Sequence, residues 1–125
     1  MFHVKHDYVD NLKKFKKTLS TRNMALKKNN EEEINIWTKL LVDHAEKITK
    51  DREEILNKVI KNIPQFFDNL PLDKKWKEII NHMSLNFYKG WEKGELIESL
   101  RRNFQEDLKK GYTKFGPQRF DLDIN

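Results

Sequence analysis

Asn30-Glu31-Glu32-Glu33-Ile34-Asn35-Ile36-Trp37 opens the stretch that decides the fold, and it runs on through Leu40, Leu41, Ala45, Ile48, Ile55, Leu56, Val59 and Ile60 to Ile63. Apolar residues fall at 34, 37, 41, 45, 48, 55, 59 and 63, the three-and-four spacing that lines one face of an α-helix. Asn30 suits the N-cap, because its side chain accepts a hydrogen bond from a free N–H of the first turn. Glu31, Glu32 and Glu33 then sit at the positive end of the helix dipole, and Glu33 is spaced to close a capping box. Pro64 is expected to end the segment, since a proline pushes the residue before it out of helical geometry. Residues 49–54 are wholly polar, and Asp51 with Glu54 repeats the capping-box spacing. Two readings stand: one bent helix over residues 31–61, about 45 Å long, or two helices meeting near residues 49–51.

Upstream, Asp7 is placed to cap a first helix whose apolar stripe is Tyr8, Leu12, Phe15 and Leu19, with Val9 beside it. Ser20-Thr21-Arg22-Asn23 reads as a break, with one further turn at Met24-Ala25-Leu26, and Lys27-Lys28-Asn29-Asn30 as the connection. Downstream, residues 64–71 form a corner between two prolines whose Phe66, Phe67 and Leu70 are expected to plug one end of the core. Asp73 then caps a helix to about Lys89 with the stripe Trp76, Ile80, Met83 and Phe87, widened by Ile79. Gly90-Trp91-Glu92-Lys93-Gly94 is a turn. A last helix spans Glu95 to Lys110, with Leu96, Ile97, Leu100, Phe104 and Leu108 inward and Gly111 as its C-terminal stop. Residues 120–124 alternate apolar and acidic, the period of an extended strand. That tail is expected either to dock on its own domain as an arm or to pair with a partner's sheet edge.

Composition bounds the class. The 125 residues are 37% hydrophobic and 36% charged, and they include eight Phe, three Tyr and three Trp, too many aromatics for a disordered chain. With four Gly and three Pro there are too few turn signals for a β-sandwich. The expected fold is all-α: one domain over residues 1–125, a compact bundle of four or five helices with an extended C-terminal arm. It comprises a basic N-terminal helix and linker at 1–29 and the arm at 112–125. Cysteine is missing, which excludes disulfides, thiolate metal sites and a Cys nucleophile. No apolar run reaches the roughly 18 residues that span a bilayer. The opening Met1-Phe2-His3-Val4-Lys5-His6 lacks a signal-peptide core, and a cytoplasmic location is expected.

The charge is uneven. Residues 1–29 hold eight Lys and Arg against Asp7 and Asp10, a net +6, while the rest of the chain is nearly balanced at −1, so this segment accounts for the whole of the formal +5. Lys13, Lys14, Lys16, Lys17, Arg22, Lys27 and Lys28 are the candidate nucleic-acid contacts, able to neutralise phosphates with little sequence preference. Tyr8 or Phe15 would stack on bases if exposed. The residue pair of segments 73–89 and 95–110 also has the outline of a helix-turn-helix presenting Ser99, Arg101 and Arg102, although Glu95 and Glu98 would repel phosphate.

Chemistry is thinly represented. The four histidines, His3, His6, His44 and His82, lack the spacing of zinc or di-iron motifs, and there is no phosphate loop, Gly-x-Gly-x-x-Gly or Gly-x-Ser-x-Gly element. No metal or cofactor is expected. Trp37 and Trp76 lie on apolar stripes and belong in the core on that pattern. Trp91, in the glycine turn beside Tyr88, is read either as an exposed anchor or as a cap on the helix pair. Together these readings point to a non-enzymatic, small protein-binding protein: a subunit, adaptor or inhibitor of a larger assembly, using Tyr88, Trp91, Phe120, Leu122 and Ile124. The alternative is a nucleic-acid-binding module built on the basic first helix.

Overall fold

A computed structural model describes residues 6–68, 71, 73–81, 85–92 and 94–124. Within them run α1 (His6–Lys28), α2 (Glu31–Asp68), α3 (Lys74–Asn81), β1 (Leu85–Tyr88), α4 (Leu96–Arg102), α5 (Phe104–Lys110), a 3-10 turn at Pro117–Arg119 and β2 (Asp121–Ile124). Among the described residues five helices build the body, and the two short strands pair with each other. The all-α class expected from composition is what forms.

The connection between α1 and α2 is two residues long and fully bonded. Asn29 takes the left-handed conformation, φ 56°, which asparagine tolerates better than most residues. The N–H groups of Asn29 and Asn30 donate to the carbonyls of Leu26 and Ala25 at 3.1 and 3.2 Å, closing the first helix with a Schellman pair. The Asn30 side chain in turn accepts from the Glu33 N–H at 3.2 Å. The cap is as expected, but its Glu33 half is not needed: the Asn30 N–H already bonds to Ala25. So tight a link folds α1 back along α2. Phe15 then meets Leu41, Val42, Ala45 and Ile48, together with Trp91, Leu96 and Leu100, in the main core. Ala25, Leu26 and Ile34 form a second cluster, with Phe104 and Leu108 packed on it.

Four sequence expectations are corrected. First, residues 20–23 do not break α1. The Thr18 and Thr21 hydroxyls bond back to the carbonyls of Lys14 and Lys17, both at 2.8 Å, so these polar residues are absorbed into the helix, and Arg22 is buried on the core side. Second, α2 is one helix of 38 residues, about 57 Å long, and it continues past Pro64 to Asp68. Third, the helix expected over residues 73–89 stops at Asn81. Residues 85–88 form a strand antiparallel to 121–124, with Leu85 opposite Ile124 and Tyr88 opposite Asp121. Tertiary pairing with a period-2 partner overrides the helical spacing of Phe87. Of the two readings of the tail, docking on its own domain is the one seen: it pairs with β1, and Pro117 and Phe120 meet Arg52 of α2. Fourth, the helix expected over residues 95–110 is two. The Asn103 side chain donates to Asp107 Oδ1 at 2.9 Å, and Asn103 separates α4 from α5. Gly111 caps α5 as expected, at φ 76° with its N–H on the Asp107 carbonyl at 2.8 Å.

Trp76, assigned to the core by its spacing, is 56% exposed, and Ile79 on the same short helix is 45% exposed. The strand between α3 and α4 also removes the helix-turn-helix outline. The side chains of Phe66 and Phe67, all of Leu70, and His3, His82 and Met83 lie outside the described residues, as does the His6 side chain. At the far end, Gly90 has φ 117° and packs against Gly116, whose N–H donates to the Gly90 carbonyl at 3.1 Å. A Cβ on Gly90 would run into the carbonyl oxygen of Gly116.

Candidate nucleic-acid interface

α1 divides its residues between two faces. Tyr8, Leu12, Phe15, Thr18, Leu19, Arg22 and Leu26 turn toward α2. Lys13, Lys16, Lys17, Lys27 and Lys28 are exposed, and at helical spacing Lys13, Lys17, Ser20, Met24 and Lys28 form a row opposite the core stripe. From Lys13 to Lys28 the helix rises about 22 Å. Lys16 and Lys27 border a shallow depression of about 310 Å³ that includes Ser20, Asn23 and Met24. Lys14 is also exposed but lies toward α2, close enough to His44 to act on it. Burial first, then Lys47 and Lys14, hold the His44 pKa below its ordinary value against the opposing effect of Asp43. Its Nδ1 is buried without a hydrogen-bond partner.

Arg22 does not belong to that surface. Its side chain is 1% exposed. Nε donates to Thr38 Oγ1 at 2.7 Å, and Nη1 donates to Thr113 Oγ1 at 2.6 Å and to Asp107 Oδ2 at 3.2 Å. Thr113 also donates through its N–H and hydroxyl to Asn23 Oδ1, at 2.8 and 2.7 Å, and the Lys114 N–H reaches Asp107 Oδ1 at 3.2 Å. Desolvation pulls the guanidinium pKa down from its ordinary value, and the Asp107 carboxylate opposes it by charge and hydrogen bond. The cation thus ties α1, α2, α5 and the segment after α5 together. Sequence reading missed this, yet the signal was present: Arg22 continues the 12, 15, 19, 26 stripe, and a cation on a core stripe needs a buried acid.

Arg52 makes a second junction. It donates to the Tyr8 hydroxyl at 3.0 Å and the Pro117 carbonyl at 2.8 Å, and its guanidinium lies 4.7 Å from the Phe120 ring centroid. Phe120 also meets Phe87 at 5.6 Å. Tyr8 and Phe15, weighed as base-stacking residues, are thereby committed to the fold. Of the protein-binding candidates, Trp91 is buried, with Nε1 donating to the Gly94 carbonyl at 3.0 Å and Lys89 over its ring. Neither reading holds: the helix pair it was to cap is not there, and Trp91 belongs to the main core with Phe15, Leu41, Leu96 and Leu100. Phe120 is half-buried, while Tyr88 and Leu122 are exposed on the ribbon. Ile124 is paired through its backbone, and its side chain lies outside the described residues.

Between α1, α2 and α4 lies a groove of about 510 Å³ whose lining includes Glu31, Lys39 and Arg101 above Ile97, Leu100 and Phe104. Among the described residues no group of three His, Asp or Glu is placed to hold a metal ion, and no helix is long and apolar enough to cross a membrane.

No protein-family model matches the chain. Individual proteins do. The DNA replication and repair protein RecF of Pseudoalteromonas translucida is 32% identical over 129 residues, covering 100% of this chain and 34% of that protein. The RecF of Coxiella burnetii (strain RSA 493 / Nine Mile phase I) is 34% identical over 128 residues, 98% of this chain and 33% of that one. Two solved structures, of the recombination mediator protein RecF-ATP and RecF-ATPrS in the RecFOR pathway, superpose with TM-scores of 0.78 and 0.77 at 24% and 25% identity. Both cover 98% of this chain and 35% of theirs. The chain spans about a third of the length of the curated relatives it matches. This likeness overturns the expectation of a non-enzymatic small protein-binding protein, a subunit, adaptor or inhibitor of a larger assembly, and favours the nucleic-acid alternative, because the similar proteins are named for DNA replication and repair. From end to end, the chain is similar to one third of RecF and shares the fold of that third.

Proposed function

We propose that the chain works on DNA, as the helical part of a RecF-like replication and repair protein, and that the outer face of α1 is what it presents to the phosphate backbone. The observation that carries this reading is the exposed row of lysines on a helix whose opposite face is locked into the core. Its length, about 22 Å, matches the run over which one strand of duplex presents roughly six phosphates. Lysines act as point charges, so the contact gives affinity and salt dependence with little sequence preference. The likeness over the whole chain to proteins named for DNA replication and repair supports the same partner. On this reading proteins of the RecFOR pathway are its protein partners, and the expected cytoplasmic setting follows.

The residues present do not fit a nucleoside triphosphate. The sequence has no phosphate loop, and the groove between α1, α2 and α4 sets Glu31 beside Lys39 and Arg101.

Fluorescence anisotropy with labelled DNA tests the reading. If four or five lysines contact phosphates, log K falls against log salt with a slope near −4, at about 0.9 per contact. Reversing Lys13, Lys14, Lys16 and Lys17 to Glu is expected to abolish binding while leaving the helical circular dichroism unchanged, since all four are exposed. Undiminished affinity in that variant would remove α1 from the interface.

A further inference from the structure

The feature that the basic face of α1 leaves unexplained is α3. Eight residues long, Lys74-Lys75-Trp76-Lys77-Glu78-Ile79-Ile80-Asn81, it keeps Trp76 56% exposed and Ile79 45% exposed. Trp76 and Ile79 are three apart and share one side of the helix, with Lys75 and Lys77 on either flank. Lys74, Lys75 and Lys77 are all exposed. On α2, the helix α3 contacts, Lys58 and Lys61 are exposed as well, and Ile60 is 40% exposed. Asp73 and Glu78 are exposed on the same segment, so the indole stands in solvent among mixed charges with lysines in excess, a setting that differs from a simple lysine row. It offers a flat π surface next to phosphate-neutralising charges.

We propose that α3 is a second DNA contact, specific for single strands, in which an unpaired base stacks on Trp76 while Lys74, Lys75 and Lys77 hold the flanking phosphates. The inference rests on the DNA reading of the preceding section but uses other residues and a different physical contact. Charge complementarity selects the occupant: an anionic chain with exposed aromatic faces satisfies both the lysines and the indole. Duplex satisfies only the lysines, because its bases are stacked on one another. The sequence-tolerant combination of a basic surface and an aromatic platform is the general device for single strands. α3 therefore adds strand-type preference where α1 adds only charge.

The experiment uses the full chain with oligo(dT) and a duplex of equal length. Oligo(dT) is expected to quench tryptophan emission, and Trp76→Ala is expected to remove that quenching. The same change should lower oligo(dT) affinity roughly five- to hundredfold, the range for loss of one base–aromatic stack, and leave duplex affinity as it was. Trp76→Phe restores part of the loss. Replacing Lys74, Lys75 and Lys77 by Ala lowers the single-strand salt slope by about 2, at roughly 0.7 per phosphate, and preserves the quenching at low salt. If Trp76→Ala binds oligo(dT) like the parent, α3 is not a strand contact, while the α1 reading stands on its own reversal variant. Quenching by phosphatidylserine vesicles and not by oligo(dT) overturns the proposal in favour of a lipid surface. If the parent chain binds neither DNA, both readings fall together.

Discussion

The two halves of α2 carry the same apolar spacing and meet different surroundings. From Ile34 to Ile48 the stripe is covered: Ile34, Leu41, Ala45 and Ile48 are fully buried beneath α1, α4 and Trp91. Past Ile48 the pattern continues at Ile55, Val59 and Ile63, yet these are only half-buried, and Ile60 is exposed. Tyr8 of α1 already meets Arg52, and α3 is among the elements that contact α2. Periodicity tells which side of a helix would bury. Whether it does depends on what the chain lays against it.

The largest effect that tests this difference is at the polar centre of the covered half. Asp107→Ala leaves the Arg22 guanidinium buried and unpaired, and is expected to cost about 3–5 kcal/mol in urea unfolding. Replacing Arg22 and Asp107 together by Met and Leu should recover much of that, since an apolar pair of similar volume dispenses with the desolvation of both ions. Next, Leu41→Ala should cost about 2–5 kcal/mol, against about 0.5 kcal/mol or less for Ile60→Ala. Equal costs would erase the distinction between the halves. Amide hydrogen exchange sharpens it further: residues 34–48 should exchange near the global unfolding limit, and residues 55–68 distinctly faster.

The smallest expected effect is a pH dependence from His44. Its pKa is lowered in the folded state, so folded protein binds fewer protons than unfolded chain just below the ordinary histidine value of 6.5. The stability it confers is complete above that value and declines as pH falls toward the folded pKa. Urea midpoints of the parent should drop over that window relative to His44→Gln. A parallel pair of curves would mean that the buried Nδ1 titrates normally.

What the sequence revealed follows from the same physics. The Asn30 cap, the Gly111 stop and the Phe15 stripe rest on local bonds or on one helix's spacing, and they are where the pattern put them. Leu85, Asn86, Phe87 and Tyr88 were misread because the partner that makes them a strand lies at 121–124. Pro64 was given too much weight against a helix that simply continues through it. At the surface, the α1 lysines were legible from charge alone, whereas removing Arg22 from that set required knowing that Asp107 and Thr113 arrive beside it. Trp76 was assigned inward because spacing cannot reveal that its face stays open.

The Arg22 junction also sets a clock on biosynthesis. Two of its hydrogen-bonding partners lie 85 and 91 residues further along the chain. At ribosomal speeds of about 5–20 residues per second, the guanidinium waits roughly 5–18 s after its own codon is read before both have been made. During that interval the α1–α2 hairpin is present without its ionic lock, and Phe15 and Leu41 are without Trp91, Leu96 and Leu100. A nascent chain paused there would leave the apolar seam of α1 and α2 without the three residues that cover it in the finished fold.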